Sequence, residues 1–300
     1  MLVLISAAAA GSLLLPDPST LRVICSDVDG TLLTPSHVTT ERTTAAVLRS
    51  MDRAEHFCCA TGRGRSGAYM ALGRVGDQLR ARGAPGVFLN GLIAYGPGGE
   101  EILSEQTVPA EVVRSVAAFA AEHGAAMVGY QRDRIICDVP SEWTAIFPGI
   151  NEPMPEALGP WDRISSNEPI NKLIVLAEPE RHTGELRPAL TEHLGDAASL
   201  TMAVPTMLEV LPKGGSKGAG VQVLLERLGV DPQAVMALGD AENDLGMLEL
   251  AGLAVAMGNA PPSVQAVAQY VTASNKEGDD GAARALERLF LGDARGDEAS

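Results

Sequence analysis

Short apolar runs alternate with helical patterns along most of this chain, and this alternation constrains the fold more than any other feature. The runs end at turn residues, which is typical of strands covered on both faces of a sheet. Strands that alternate with helices predict an α/β fold with a doubly wound parallel, Rossmann-like sheet. The predicted strands are 21–26, 56–60, 87–89, 234–238, 253–257 and 270–272, and the predicted helices are 39–53, 216–228, 261–268 and 282–291.

The middle of the chain has a different character, with much Pro, Gly and Glu. We predict that residues 92–205 form an α+β cap domain, inserted between two halves of a core domain, 20–91 and 206–300. Within the cap, helical and strand-like patterns indicate a small antiparallel sheet covered by helices. Its predicted helices are 110–123 and 184–194, its strands are 126–130, 135–139, 172–177 and 199–204, and its hinges are Asn90-Gly91 and 205–212.

The charge of the chain limits its partners. The 300 residues carry a formal net charge of −15, and only four of them are lysines. Such a chain has no general attraction for nucleic acid, so no nucleic-acid partner is predicted. It also repels anions at long range. A phosphate ester would therefore need local cations and a metal at its binding site.

Cysteine usage and the N-terminus bear on location. The four cysteines have no CxxC spacing, which argues against a disulfide framework or a zinc site and for a reducing compartment. Residues 1–15 are mostly apolar but short for a membrane span, and no basic residue precedes Arg22, as a signal peptide would require. We predict that 1–19 are an N-terminal extension and that the protein is cytoplasmic, without a membrane partner. Organellar targeting by the N-terminal segment stays an alternative, and no oligomeric state is predicted.

Two carboxylates stand at the end of the first predicted strand, in Asp27-Val28-Asp29-Gly30-Thr31. In an open α/β sheet, ligands bind at the carboxyl ends of the strands. Crowded carboxylates need a metal, a shared proton or both, and their pKa values separate, so one can act as nucleophile or ligand and the other as acid and base. A calcium loop is excluded, since the further acidic positions of that motif are absent.

Two later motifs offer partners for an anion. Thr61-Gly62-Arg63 closes the strand at 56–60 and supplies a hydroxyl, an amide and a guanidinium, which suit phosphoryl oxygens. Lys217 follows Ser216, a predicted N-cap, and a cation in the first turn of a helix is unfavourable unless an anion holds it. The spacing of this segment excludes a P-loop.

A second acidic cluster, Asp240 to Asp244, follows the strand at 234–238. Asp240 can complete a metal site with Asp27, and Asp244 lies on the same side of the opening helical turn. Oxygen ligands in this number suit Mg²⁺ better than zinc. Mg²⁺ is therefore the predicted cofactor.

These motifs, in this order, resemble motifs one to four of the haloacid dehalogenase (HAD) superfamily, and the insertion resembles the C2B cap of the Cof-type phosphatases. The resemblance extends over residues 21–291. Further segments similar to Cof-type signatures are Phe88-Leu89-Asn90-Gly91, Thr272-Ala273-Ser274-Asn275 and Asp280-Gly281.

The resemblance implies a role for each motif residue. Asp27 would attack phosphorus, and Asp29 would protonate the leaving alcohol and then activate water. Thr61 and Lys217 would hold the phosphoryl oxygens; Lys217 is chosen over Lys213 because it precedes Gly218 and the helix. The implied Mg²⁺ ligands are Asp27, Asp29 through its backbone carbonyl, Asp240 and Asp244, and the implied substrate-binding residues are Gly62, Arg63, Asn90 and Asn243.

The predicted function is that of a magnesium-dependent phosphatase acting on small phosphorylated metabolites, either sugar phosphates or phosphorylated cofactors, through an aspartyl phosphate. A phosphomannomutase-like phosphomutase and a non-catalytic phosphometabolite sensor are the alternatives. Asp29 argues against carbon–halogen hydrolysis, because true dehalogenases of this superfamily lack that second aspartate. Residues that we expect at the cleft from the cap side or beside it are Arg63, Asn90, Gln131, Asp138 and Lys172.

Overall fold

A computed structural model describes residues 15–202 and 204–293. Its larger sheet, here called the core sheet, has eight strands in the order β14-β13-β12-β1-β2-β3-β4-β5. The strands from β14 to β3 are parallel, and β4 and β5 add an antiparallel edge. The strands are β1 (Val23–Ser26), β2 (His56–Ala60), β3 (Gly86–Phe88), β4 (Ile93–Tyr95), β5 (Ile102–Glu105), β12 (Val235–Gly239), β13 (Leu253–Ala256) and β14 (Tyr270–Val271).

Helices cover both faces of the core sheet, as predicted for a doubly wound fold. Alternate residues of β1 point to opposite faces, so Ile24 packs in one apolar cluster while Val23 and Cys25 pack in another. The first cluster includes α1 (Glu41–Arg53), α2 (Arg65–Ala71), α3 (Arg74–Ala81) and α11 (Gly281–Ala285), which continues as a π-helical turn, Leu286–Leu291. The second includes α8 (Lys217–Leu228), α9 (Leu245–Leu250) and α10 (Pro262–Gln265).

The smaller sheet, here called the cap sheet, has six strands in the order β10-β11-β9-β6-β7-β8. Its outer face packs against helices, while the alternate residues of the same strands face the core domain. The strands are β6 (Ala126–Gln131), β7 (Arg134–Cys137), β8 (Glu156–Ala157), β9 (Lys172–Leu176), β10 (Ala198–Thr201) and β11 (Met207–Pro212); the helices are α4 (Ala110–Glu122), α5 (Trp161–Asn167), α6 (Pro179–Arg181) and α7 (Arg187–Leu194).

The observed strand pairing shows that both boundaries of the cap domain differ from the predicted ones. We predicted that the cap begins at residue 92, but β4 and β5 hydrogen-bond into the core sheet, so the crossing lies after Glu105. We predicted a hinge over 205–212, but β11 is a buried strand paired on both sides with β9 and β10. The run from Met207 to Leu211 is apolar except for Glu209, which suits an inner strand better than a hinge. Asn90-Gly91 likewise forms a buried turn before β4 rather than a hinge.

The N-terminal prediction falls largely outside the described residues, since 1–14 are not described. The described part of that extension ends in a short 3₁₀ turn, Pro18–Thr20, before β1. In the parts of the chain that the structure describes, no helix has the length and apolar character needed to cross a bilayer.

Candidate active site

Asp27 lies at the carboxyl end of β1 and is almost fully buried. Its carboxylate Oδ1 is 2.8 Å from Nζ of Lys217. The turn that follows needs glycine, because Gly30 has φ +72° and any side chain there would collide with the carboxylate of Asp240. The local sequence thus brings two strand ends, those of β1 and β12, into direct contact.

Lys217 is the buried cation of this site. It opens α8, where the Ser216 hydroxyl accepts a hydrogen bond from the Ala219 amide as N-cap. Its ammonium also donates to Oδ1 of Asp244 over 2.7 Å. Burial alone would lower the pKa of Lys217, but Asp244 and Asp27 raise it overall, so the side chain is charged. Lys213, the other candidate for this role, is exposed.

Asp240 and Asp244 follow β12 and are fixed by different partners. Asp244 accepts from the backbone amides of Asp240 and Ala241, each at 2.9 Å, and is fully buried. Asp240 accepts from Thr31 at 3.1 Å and from the side-chain amide of Asn259, also at 3.1 Å. Both carboxylates are therefore held in place before any ligand arrives.

Asp27, Asp240, Asp244 and Lys217 together form what we call the carboxylate centre. One oxygen from each of the three aspartates lies within 4.8 Å of the others. Burial and Asp244 raise the pKa of Asp27 well above its usual range, although Lys217 opposes this, and they raise the pKa of Asp240 to about 7. Three crowded carboxylates exceed the one ammonium, and hard oxygen donors in this number fit Mg²⁺.

Asp29 has different surroundings from Asp27. Arg63 donates to both of its oxygens, from Nε over 2.6 Å and from Nη2 over 2.7 Å. The same guanidinium reaches the cap, where Nη1 donates to the carbonyl of Ile150 over 2.6 Å and to Glu152 over 3.3 Å. Burial raises the pKa of Glu152 to about 7, against the opposing effect of Arg63. Arg63 therefore joins the second aspartate of the motif to the cap domain.

A second set of contacts across the two domains, which we call the polar bridge, starts in the cap sheet. Lys172 in β9 donates to the carbonyl of Gly62 over 2.7 Å and to Glu209 in β11 over 3.1 Å. Glu209 also accepts a hydrogen bond from the amide of Asn90, whose Oδ1 accepts from Asn243 over 2.9 Å. The polar bridge thus connects two cap strands to three loops of the core domain.

A cavity of about 180 Å³ separates the carboxylate centre from the cap sheet. We call it the interface cavity. Asp27, Asp29 and Asn243 lie on its core side, and side chains of the cap sheet form the opposite wall. The lining residues are Asp27, Asp29, His37, Gly62, Arg63, Tyr130, Ile146, Ile150, Glu152, Lys172, Ile174, Val204, Thr206, Met207, Glu209 and Asn243.

The predicted site residues fall into three groups. Asp27, Lys217, Asp240 and Asp244 meet in the carboxylate centre. Asp29, Gly62, Arg63 and Asn243 line the interface cavity, as does Lys172. Thr61 and Asn90 are fully buried outside that lining; the Thr61 hydroxyl accepts from the Arg63 amide at 3.2 Å. Direct contact of these two with a substrate stays a prediction.

Two other expected cleft residues lie elsewhere. Gln131 hydrogen-bonds to Arg134, and the Asp138 carboxylate accepts from the Val139 amide at 2.8 Å. Neither residue lines the interface cavity.

Sequence reasoning missed several residues of the site, which are His37, Tyr130, Glu152, Glu209 and Asn259. Glu209 carried a signal, since a carboxylate inside an otherwise apolar strand requires a buried partner. Asn259 carried another, because it closely follows β13 and so lies at the same edge of the sheet as the other motifs. His37 and Glu152 lie in irregular segments, where no local pattern marks them.

Comparisons with known proteins identify the family and the fold of this chain. The family model for haloacid dehalogenase-like hydrolases matches residues 24–286. A Bacteroides thetaiotaomicron crystal structure of a haloacid dehalogenase-like hydrolase superposes with a TM-score of 0.78 at 25% identity, covering 90% of this chain and all of that one.

Several curated relatives exceed 30% identity, and two of them are described here. The HMP-PP phosphatase of Cronobacter sakazakii is 32% identical over 267 residues, which cover 82% of this chain and 93% of that protein. A protein of Arabidopsis thaliana named chloroplastic endoribonuclease YBEY is 34% identical over 271 residues, covering 88% of this chain. The matched region is only 46% of that plant protein.

Proposed function

The chain belongs to the haloacid dehalogenase-like hydrolases, and from this premise we propose that it is a magnesium-dependent phosphatase of small phosphorylated metabolites. The observation that carries the proposal is the carboxylate centre. A nucleophile candidate, Asp27, is held 2.8 Å from a buried ammonium and beside two further carboxylates, directly below a cavity. The name of the Cronobacter relative supports the reaction type.

In the proposed reaction, an oxygen of Asp27 attacks phosphorus and the bond to the ester oxygen breaks. The leaving alcohol takes a proton from Asp29, and an aspartyl phosphate forms. Asp29 then removes a proton from water, whose oxygen attacks phosphorus, so that inorganic phosphate leaves and Asp27 is restored. Lys217 holds the Asp27 carboxylate in place and offsets charge that develops on the phosphoryl oxygens.

The hydrogen bonds of Arg63 to Asp29 must change during this series of reaction steps. Arg63 occupies both oxygens of Asp29, so one of those hydrogen bonds must give way before Asp29 can contact the leaving oxygen. Since Arg63 also holds Ile150 of the cap, we propose that this exchange accompanies movement of the cap when substrate enters.

The residues that would hold Mg²⁺ are Asp27, Asp240 and Asp244, with the backbone carbonyl of Asp29. The ion, when bound, would neutralise the excess carboxylate charge and allow a phosphate dianion to approach. Asn259 and Thr31 keep Asp240 oriented for this role.

The proposed partner is a small phosphorylated metabolite, and no nucleic-acid partner is proposed for a chain with a net charge of −15. We propose a cytoplasmic location, with organellar import as the alternative because the plant relative is named chloroplastic. Imaging a fluorescent fusion of the full chain in its own cell separates the two, since signal confined to an organelle would overturn the first.

The test of the function is phosphate release from a panel of phosphate monoesters, with Mg²⁺ present or removed by EDTA. We expect turnover with Mg²⁺, its loss with EDTA and its return when Mg²⁺ is added back. Absence of phosphate release from every ester would refute the phosphatase proposal. Isomerisation of a sugar phosphate that requires a bisphosphate activator would indicate the mutase, and ligand binding without turnover would indicate the sensor.

A further inference from the structure

The residues on the wall of the interface cavity opposite Asp27 indicate which phosphate esters the protein prefers. This inference rests on the proposed phosphatase function. We propose that the preferred substrates are esters with a single phosphate whose alcohol carries one neutral aromatic or heteroaromatic ring. Polyhydroxylated sugar phosphates and bisphosphates would be poor substrates. Three observations carry this proposal.

The first observation is that the cap side of the cavity is largely apolar. Ile174, Met207 and Tyr130 form its base from three neighbouring strands, β9, β11 and β6. Ile146 and Val204 stand at its sides and stay 37% and 39% exposed. When an apolar group of a ligand covers exposed apolar side chains around a cavity, the burial of both surfaces from water stabilises the complex. A ring meets that condition, whereas the hydroxyl groups of a sugar do not.

The second observation is that the charged groups of the wall are already paired. Lys172 bonds to Glu209 and the Gly62 carbonyl, and Glu209 also bonds to Asn90. Arg63 is shared by Asp29 and the cap. A sugar would bury several hydroxyls here, and among the described residues the cap side offers only the hydroxyls of Tyr130 and Thr206 as further uncharged partners. Each sugar hydroxyl left without a partner weakens binding. Breaking the buried pairs to serve those hydroxyls also costs free energy.

The third observation concerns charge. Among the described residues that line the cavity, the permanent cations are Arg63 and Lys172, and both are paired with carboxylates. Glu152 adds a further carboxyl group to the cap side. A second phosphate would therefore meet no free cation and would be repelled. This favours one phosphate and an uncharged alcohol.

The size of the cavity agrees with one ring. Its volume of about 180 Å³ compares with cavities of about 150 Å³ that accept benzene in another protein. A single six-membered ring is therefore close to the largest group that this cavity can enclose beside a phosphoryl group.

The test compares esters of primary alcohols, so that the leaving oxygen stays alike. Benzyl phosphate and pyridoxal 5′-phosphate carry a ring, glucose 6-phosphate and glycerol 3-phosphate carry hydroxyls, and glucose 1,6-bisphosphate carries a second phosphate. Acetyl phosphate stands outside this series, because it is an acyl phosphate with a better leaving group; having neither ring nor hydroxyl, it reports on the phosphatase chemistry alone. We expect kcat/KM for the ring esters to exceed that for the sugar esters at least about tenfold. Sugar esters that equal or exceed the ring esters, with rapid acetyl phosphate hydrolysis, would overturn the substrate class and leave the phosphatase function standing.

Variants test whether the preference arises from the cap residues that line the interface cavity, which we call the cap wall. Val204→Asn and Ile146→Asn replace partly exposed residues, so the fold should tolerate them, and we expect each to lower the benzyl-to-glucose rate ratio about fivefold. Val139→Asn is the matched control, because Val139 is exposed on the cap but does not line the cavity. It should leave the ratio unchanged. A preference that survives both cavity variants would place the ring elsewhere and overturn the proposal; phosphate release from no ester at all would instead refute the phosphatase function.

Discussion

The carboxylate centre and the cap wall face each other across one cavity but are built in different ways. Every side chain of the carboxylate centre comes from the end of a core strand or the first turn of a helix, and its charges are crowded and unbalanced. The cap wall is assembled from several cap strands and loops. Its charges are paired, and most of its remaining surface is apolar. The first region is suited to binding a metal and a phosphoryl group, and the second to selecting what the phosphoryl group is attached to.

This difference in charge pairing indicates that the two regions contribute differently to stability and to function. Charges that stay unbalanced cost stability and persist only where a ligand completes them. Paired charges and apolar side chains stabilise the contact between the two domains without a ligand. Substitutions on the two sides should therefore have different consequences, for catalysis on the core side and for selectivity and domain closure on the cap side.

The largest effect is expected from Asp27→Asn. The amide keeps the shape of the side chain but is not a nucleophile, so phosphate release should fall by at least about 10⁴-fold. Thermal unfolding and circular dichroism should stay close to the wild type, because the relief of repulsion from Asp244 and Asp240 offsets the lost ion pair with Lys217. Asp196→Asn, at an exposed position, is the matched control. Normal turnover in Asp27→Asn would show that the nucleophile lies elsewhere.

Lys217→Met comes next, since it removes the buried cation of the carboxylate centre. Three carboxylates would remain without their ammonium partner, so we expect activity to fall by about 10³-fold. Urea unfolding should show a loss of about 3–5 kcal/mol in stability. Lys213→Met serves as control and should change stability by less than about 0.5 kcal/mol, because Lys213 is exposed. If the two variants behaved alike, the assignment of Lys217 over Lys213 would fail.

The polar bridge tests whether the cap affects catalysis. Lys172→Met leaves the buried Glu209 without its cation and frees the Gly62 carbonyl, so we expect about 3 kcal/mol lower stability and a kcat reduced about tenfold. The double variant Lys172→Met with Glu209→Leu should recover part of the stability but not kcat. Lys276→Met, in an exposed loop, is the control. An unchanged kcat in Lys172→Met would mean that the polar bridge only holds the domains together.

The smallest effect is expected in the pH dependence of stability, through Glu152. Folding raises its pKa from 4.5 to about 7, mainly by burial. The neutral form is favoured in the folded state, so its contribution is complete below pH 4.5 and is lost as pH rises to about 7, with a magnitude up to about 3 kcal/mol. Asp240, whose pKa is also raised to about 7, contributes a decline over the same pH range. Glu152→Gln should therefore show a smaller decline than the wild type in urea unfolding, whereas Glu180→Gln, at an exposed position, should keep the full decline. The same decline in Glu152→Gln would assign it to another group.

Much of the core fold was predictable because its signals are local. The strand predicted at 56–60 is the observed β2, and the helix predicted at 216–228 differs from α8 only by its N-cap, Ser216. The edge strands β4 and β5 were missed because they are short and antiparallel, and β5 is partly exposed. β11 was mistaken for a hinge, since Pro205 and Pro212 bracket its apolar run and proline suggests an interrupted strand.

The sequence by itself determined where the charged groups of the core side lie. Asp27, Asp29, Lys217, Asp240 and Asp244 stand at strand ends or helix starts, and a parallel sheet brings its carboxyl ends to one edge whatever the lengths of the connections. Only the tertiary structure decided which side chains face them. Asn90 meets Glu209, 119 residues further along the chain, and Arg63 meets Ile150, 87 residues away. Such pairs depend on how one sheet is set against another, and no local pattern in the chain specifies that orientation.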